Sequence, residues 1–77
     1  MIRMNLKLRR IQCGLTQAQL AQKARISPVT YNRLERGHRT PNVIVAQRIA
    51  RVLEVPVGDL FPVHDTITSP QDQVSDA

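Results

Sequence analysis

The chain has 77 residues, with eleven Lys and Arg against six Asp and Glu, a net charge of +5; at roughly 100–200 residues per domain this is one small domain, with no room for the large enclosed site of a metabolic enzyme. The charge is uneven: residues 1–63 hold eleven bases against three acids, a net of +8, whereas residues 64–77 hold Asp65, Asp72 and Asp76 and no base, so the basic part points to an anionic partner, most simply nucleic acid. The only cysteine, Cys13, excludes an internal disulfide framework, and no apolar run reaches the roughly 18 residues of a membrane span or forms a signal-peptide core.

In chain order, the first predicted helix covers Leu6–Cys13 and ends at Gly14. Its apolar residues fall into two stripes on nearly opposite faces, Leu6 with Cys13 and Met4 with Leu8 and Ile11. One stripe is expected to face the core, with Cys13 a small buried hydrophobe; the other covers a neighbouring element or a second subunit. The second helix has the clearest start signal. Thr16 and Gln19 form a T-x-x-Q capping box, in which each side chain satisfies a free backbone N–H of the other residue, and Leu15 with Leu20 forms a hydrophobic staple. This helix runs to about Ala24. A second start signal follows within three residues: Ser27 as N-cap, Pro28 at the first helical position, and Ile26 as staple to Tyr31. Gly37 ends the third helix. The loop His38–Pro41 leads to Asn42 as the cap of a fourth helix, whose Ala46, Ile49, Ala50 and Leu53 recur at i, i+3, i+4 and i+7. A last turn, Val57–Phe61, places Leu60 and Phe61 as a lid on the core. After Phe61-Pro62 the composition turns polar and acidic, so residues 1–63 are expected to form the folded domain and residues 64–77 a disordered tail. Five short helices without a strand signal predict an all-α bundle.

The second and third helices are joined by the three-residue turn Arg25-Ile26-Ser27, the spacing of a helix-turn-helix. Ala21 is small where the two helices must cross closely. On a helical wheel Thr30, Tyr31 and Leu34 fall on one side of the third helix, and Pro28, Val29, Asn32, Arg33 and Arg36 within one arc on the other. A guanidinium, a carboxamide and apolar methyl groups are the types that read guanine, adenine and the thymine methyl in a major groove. The only aromatics are Tyr31 and Phe61, too few for a single-strand stacking platform.

The string Leu15-Thr16-Gln17-Ala18-Gln19-Leu20-Ala21, followed by Ile26-Ser27, Leu34-Glu35-Arg36-Gly37 and Pro41, resembles the Cro/cI-type helix-turn-helix family (the xenobiotic-response-element group), which includes lambdoid phage repressors and many short bacterial regulators. The resemblance covers about residues 6–61. It implies a lambda-repressor-like five-helix fold and a cytoplasmic, nucleoid-associated regulator, bacterial or encoded by a phage or mobile element. It implies that Pro28, Val29, Asn32 and Arg33 face the bases. Gln17, Ser27, Arg36, Arg39, Thr40 and Asn42 fall at the family's phosphate-gripping positions, several at helix N-termini whose free N–H groups suit an anion. Arg10 and Glu35 fall at the positions of a structural ion pair between the first and third helices. The chain departs from the family pattern in three places: Arg25 and Glu54 stand where glycine is usual, and Pro28 and Val29 replace polar residues at the first base-reading positions. A bulky residue with φ > 0 at position 25 costs about 1 kcal/mol.

Other readings of the same residues are weaker. Glu35 has no second carboxylate near it for acid–base chemistry, and His38 and His64 with one distant cysteine make no metal-ligand spacing. Lys7 and Arg9 read equally well as a phosphate clamp or a solvated face, and Arg48 and Arg51 as solvated surface. No cofactor, metal, small-molecule ligand or membrane partner is expected, and the chain reads as soluble and intracellular. The expected function is sequence-specific double-stranded DNA binding by a homodimer, as a transcriptional regulator and most simply a repressor; a restriction–modification controller is a variant of that reading. Two rivals stay open: an antitoxin that neutralises a toxin protein and represses its own operon, and an adaptor that binds protein alone.

Overall fold

The computed structural model describes residues 2–61. They form five helices, α1 (Met4–Gln12), α2 (Gln17–Ala24), α3 (Pro28–Glu35), α4 (Val43–Leu53) and α5 (Val57–Leu60), with no strand among the described residues. The expectations for residues 64–77, including His64, lie outside them.

Helix starts follow local chemistry closely. Thr16 Oγ1 accepts from the Gln19 N–H and Gln19 Oε1 accepts from the Thr16 N–H, closing the capping box of α2. Ser27 Oγ accepts from the Thr30 N–H with Pro28 at the first position of α3, and Asn42 Oδ1 accepts from the Val45 N–H at the start of α4. The start of α5, after Pro56, has no side-chain cap, and neither has that of α1. Helix α1 begins at Met4, two residues earlier than its sequence pattern indicates, after Arg3, which provides no side-chain cap bond.

The ends of α1 to α4 share a single device. Gly14, Arg25, Gly37 and Glu54 all take left-handed backbone, with φ of 72°, 63°, 79° and 58°. Each is followed by an N–H that reaches back to a carbonyl in the preceding helix: Leu15 to Arg10, Ile26 to Ala21, His38 to Arg33 and Val55 to Ala50. That reversal satisfies a carbonyl the helix would otherwise leave open. Two of the four positions carry a side chain where glycine is unstrained. Arg25 is exposed and keeps the turn tight at a conformational cost of about 1 kcal/mol. Arg25→Gly is therefore expected to raise the thermal midpoint by a few degrees, the relief of strain exceeding the added freedom of the unfolded chain; calorimetry checks this, and an unchanged or lower midpoint counts against strain at Arg25.

The core lies where all five helices meet. Leu6 of α1, Leu20 and Ala21 of α2, Tyr31 of α3, and Ile49 and Leu53 of α4 are fully buried. Ala21 leaves the room for α2 to pack against both α3 and α4, while α1 packs against α3 and α5. Leu60 and Phe61 close the core from the α5 end, as the lid expected from the sequence. Cys13 is exposed, against expectation. Helix α1 ends at Gln12, and after the left-handed turn at Gly14 it is Leu15 that packs against the core. The second stripe of α1 is open to solvent: Met4, Leu8 and Ile11 are each about half exposed.

Three arginine side chains tie distant segments together. Arg9 Nε donates to the Leu53 carbonyl at 3.0 Å, a cation at the C-terminus of α4 where the helix dipole favours it. Arg10 Nη1 donates to the Leu15 carbonyl at 2.8 Å. Arg3 Nη1 donates to the carbonyls of Leu34 and Arg39, the Arg3 N–H donates to the Glu35 carbonyl, and the guanidinium lies 5.5 Å from the Phe61 ring centroid. The N-terminal segment thus holds the end of α3, the loop after it and the lid at once. No helix among the described residues is long and apolar enough to cross a membrane.

Candidate nucleic-acid interface

Helix α3 is divided by its own sequence into a packed side and an outer side. Thr30, Tyr31, Leu34 and Glu35 are buried. Pro28, Val29, Arg33 and Arg36 are exposed and Asn32 is half-buried, so the four proposed base-facing residues, with Arg36, occupy one outward arc. Val29 is 61% exposed, more than any other large apolar side chain among the described residues. A bare methyl surface beside two guanidinium groups is poor as a core and suits a groove lined by bases and phosphates.

The buried side of α3 is anchored by charge. Arg10 Nε donates to Glu35 Oε1 at 2.7 Å, bringing together the ion pair assigned to α1 and α3. Tyr31 Oη donates to the same oxygen at 2.9 Å, while Gln17 Nε2 and Arg10 Nη2 donate to Glu35 Oε2 at 2.5 and 3.5 Å. Four donors fill the accepting capacity of one carboxylate, which leaves Glu35 nothing to do as an acid. Burial alone raises the Glu35 pKa, but hydrogen bonds from Arg10, Gln17 and Tyr31 and the Arg10 charge outweigh it and hold the group below the usual carboxylate range. Tyr31 is displaced upward by burial and then by the neighbouring Glu35 charge. Arg10 is raised by its hydrogen bond to Glu35, against the opposing effect of burial.

The residues assigned to phosphate are less uniform. Gln17 opens α2, where its N–H lacks an intrahelical partner. Its carboxamide is turned inward, donating to Glu35 and accepting from Asn32 Nδ2 at 3.0 Å. Ser27 Oγ caps α3 and donates to Thr30 Oγ1 at 2.8 Å. Arg36 is exposed, Arg39 and Thr40 are half-buried in the loop after α3, and Asn42 is buried as the cap of α4. Arg48 and Arg51 on α4 are exposed; Arg9 is committed to the Leu53 carbonyl. Arg3, which carries no local motif, is the residue that sequence reasoning missed. The Gln17–Asn32 bond was also unforeseen, although a carboxamide at the start of α2, another on α3 and the Glu35 carboxylate form a donor–acceptor series that could have been sought.

Among the described residues no group of three or more His, Cys, Asp or Glu could hold a metal ion. An open groove of about 490 Å³ runs between α1 and α5, lined by residues such as Asn5, Leu8, Gln12 and Asp59, and includes none of the residues assigned to bases or phosphates.

A helix-turn-helix family model matches residues 6–60, from the third residue of α1 to the end of α5. The chain is 40% identical over 53 residues to the uncharacterized HTH-type transcriptional regulator YqaF of Bacillus subtilis (strain 168), covering 69% of this chain and 70% of that protein. An uncharacterized HTH-type transcriptional regulator of Methanothermobacter thermautotrophicus is 40% identical over 53 residues, covering 68% of this chain and 77% of its own. One from Archaeoglobus fulgidus is 38% identical over 56 residues, covering 73% and 80%.

Proposed function

The chain belongs to the XRE-group helix-turn-helix family, a DNA-binding transcription regulator and not an enzyme, and from that premise we propose that it is a repressor that binds a pseudo-palindromic operator as a homodimer. In this reading α2 lies across the phosphate backbone and α3 enters the major groove, with Pro28, Val29, Asn32 and Arg33 toward the bases. Arg36, Arg39, Thr40 and the N-termini of α2, α3 and α4, at Gln17, Ser27 and Asn42, meet phosphates. The observation that carries it is the outward arc of α3, where an exposed valine, a carboxamide and two arginines stand opposite a saturated buried ion pair. The half-exposed stripe Met4, Leu8 and Ile11 supports pairing of two copies, which would set half-site centres about 34–36 Å apart or a multiple of that.

Fluorescence anisotropy tests this with a duplex from the gene's own upstream region beside a scrambled duplex, at two salt concentrations. The upstream duplex is expected to bind more tightly and to keep its preference as both affinities fall with salt. Equal, weak, salt-sensitive binding to both would reduce the chain to a basic surface. Arg33→Ala is expected to cost about 1–3 kcal/mol on the preferred duplex and to relax selectivity at one base pair. A uniform loss on every sequence would move Arg33 from the bases to the backbone.

A further inference from the structure

We infer that Asn32 is a polarised adenine reader, its carboxamide held in one of its two orientations by a hydrogen-bond relay that starts at the buried Glu35 carboxylate and passes through Gln17. The inference rests on the reading of α3 as the groove helix.

A carboxamide has an accepting end and a donating end of nearly the same shape, and on a solvated helix face nothing decides which end points out. Here the choice is made from below. The Glu35 side chain is buried and paired with Arg10 at 2.7 Å, and an ionised carboxylate can only accept. Gln17 must therefore turn its amino group to Glu35, which it does at 2.5 Å. That leaves Gln17 Oε1 at the far end as an acceptor, and Asn32 must turn its own amino group to it, as it does at 3.0 Å. Flipping either amide would set oxygen against oxygen. The outcome is that Asn32 keeps its carbonyl oxygen and one amide hydrogen for whatever lies in the groove.

Adenine alone offers a donor, the N6 amino group, beside an acceptor, N7, on its major-groove edge. Guanine offers two acceptors there, and its O6 would face the Asn32 oxygen. Thymine offers an acceptor only, and cytosine a single donor. Of the three residues in the relay, Asn32 is thus the one that reads a base, while Gln17 and Glu35 position it.

The test is a selection from randomised duplex DNA with the full chain, run with wild type, Asn32→Ala and Gln17→Leu after each has been checked for folding by circular dichroism. The base pair at which Asn32→Ala loses preference identifies the contact. Wild type is expected to select adenine at that pair, with discrimination of about 5- to 150-fold over guanine. Replacing that adenine by 7-deazaadenine or by purine is expected to weaken wild type at least about fivefold and to leave Asn32→Ala unchanged. In Gln17→Leu the freed amide can rotate, so discrimination at this one pair is expected to fall to within about threefold while the other pairs keep their preferences, a pattern that loss of a phosphate anchor alone would not produce. Guanine or thymine at the Asn32-dependent pair overturns the inference, as does undiminished discrimination in a folded Gln17→Leu protein. If wild type selects no sequence at all, it is the groove-helix reading that has failed.

Discussion

Glu35→Ala is expected to remove about 3–5 kcal/mol of the folding stability. The substitution strips the Arg10 guanidinium of its charge partner and the Tyr31 hydroxyl of its acceptor, with Tyr31 fully buried and the Arg10 side chain 12% exposed. Breaking a buried pair by removing one member costs about 3–5 kcal/mol, a large share of the roughly 4–12 kcal/mol that about 0.05–0.15 kcal/mol per residue gives a chain of this size. Urea unfolding followed by far-UV circular dichroism measures the loss; a variant within about 1 kcal/mol of wild type would mean that the pair contributes little to holding α1 on α3. The same group sets the acid limit. Because the Glu35 pKa is lowered on folding, its contribution is present above the unfolded carboxylate value of about 4.3 and is lost as pH falls through the lower folded value. Stability is therefore expected to be flat from about pH 8 to 5 and to fall only below about pH 4, and a fall that began near neutrality would contradict the lowered pKa.

Phe61→Ala is expected to cost a similar amount for a different reason. Phe61 is 1% exposed and sits at the end of a four-residue helix, far too short to be stable by itself. Its ring and Leu60 are what hold α5 against the core, and the ring also lies under the Arg3 guanidinium. Truncating a buried phenylalanine costs about 3–5 kcal/mol, which at about 4–8 °C per kcal/mol lowers the thermal midpoint by at least about 12 °C. Val29→Ala, on the exposed arc of α3, serves as the contrast and is expected to move stability by no more than about 0.5 kcal/mol. Calorimetry on the two variants decides it: comparable small shifts would place Phe61 outside the cooperative unit.

What could be read from the amino-acid order was the part written in neighbouring residues. Thr16 with Gln19, Ser27 with Pro28, and Asn42 with Val45 each complete a cap within three positions, so the starts of α2, α3 and α4 were legible. The start of α1 was not, because Arg3 caps nothing with its side chain and serves residues 31 and 36 positions away. Cys13 was misjudged because a helical wheel assumes that core lies under the whole stripe, and the core beneath Leu6 does not extend to the end of α1. At the interface, the wheel separated the outer arc of α3 from Tyr31 and Leu34 correctly. It could not see that Asn32 is bonded to Gln17 across the helix-turn-helix, since that contact depends on how closely α2 and α3 cross over Ala21.

The Arg3 strap has a consequence for how the protein comes into being. Arg3 is made before its partners, the carbonyls of Leu34 and Arg39 and the ring of Phe61. Synthesis runs from the N-terminus at about 5–20 residues per second, so α3 is complete in sequence seconds before the last side chain that secures it has been made. During that interval α2 and α3 can form their capped turns, but the loop joining residues 3 and 61 is still open, and closing a loop of that length carries an entropic cost that only finished contacts offset. A nascent chain that has not yet exposed Phe61 therefore lacks the side chain that closes the core and meets the Arg3 guanidinium. The strap closes only with the last turn of the fold.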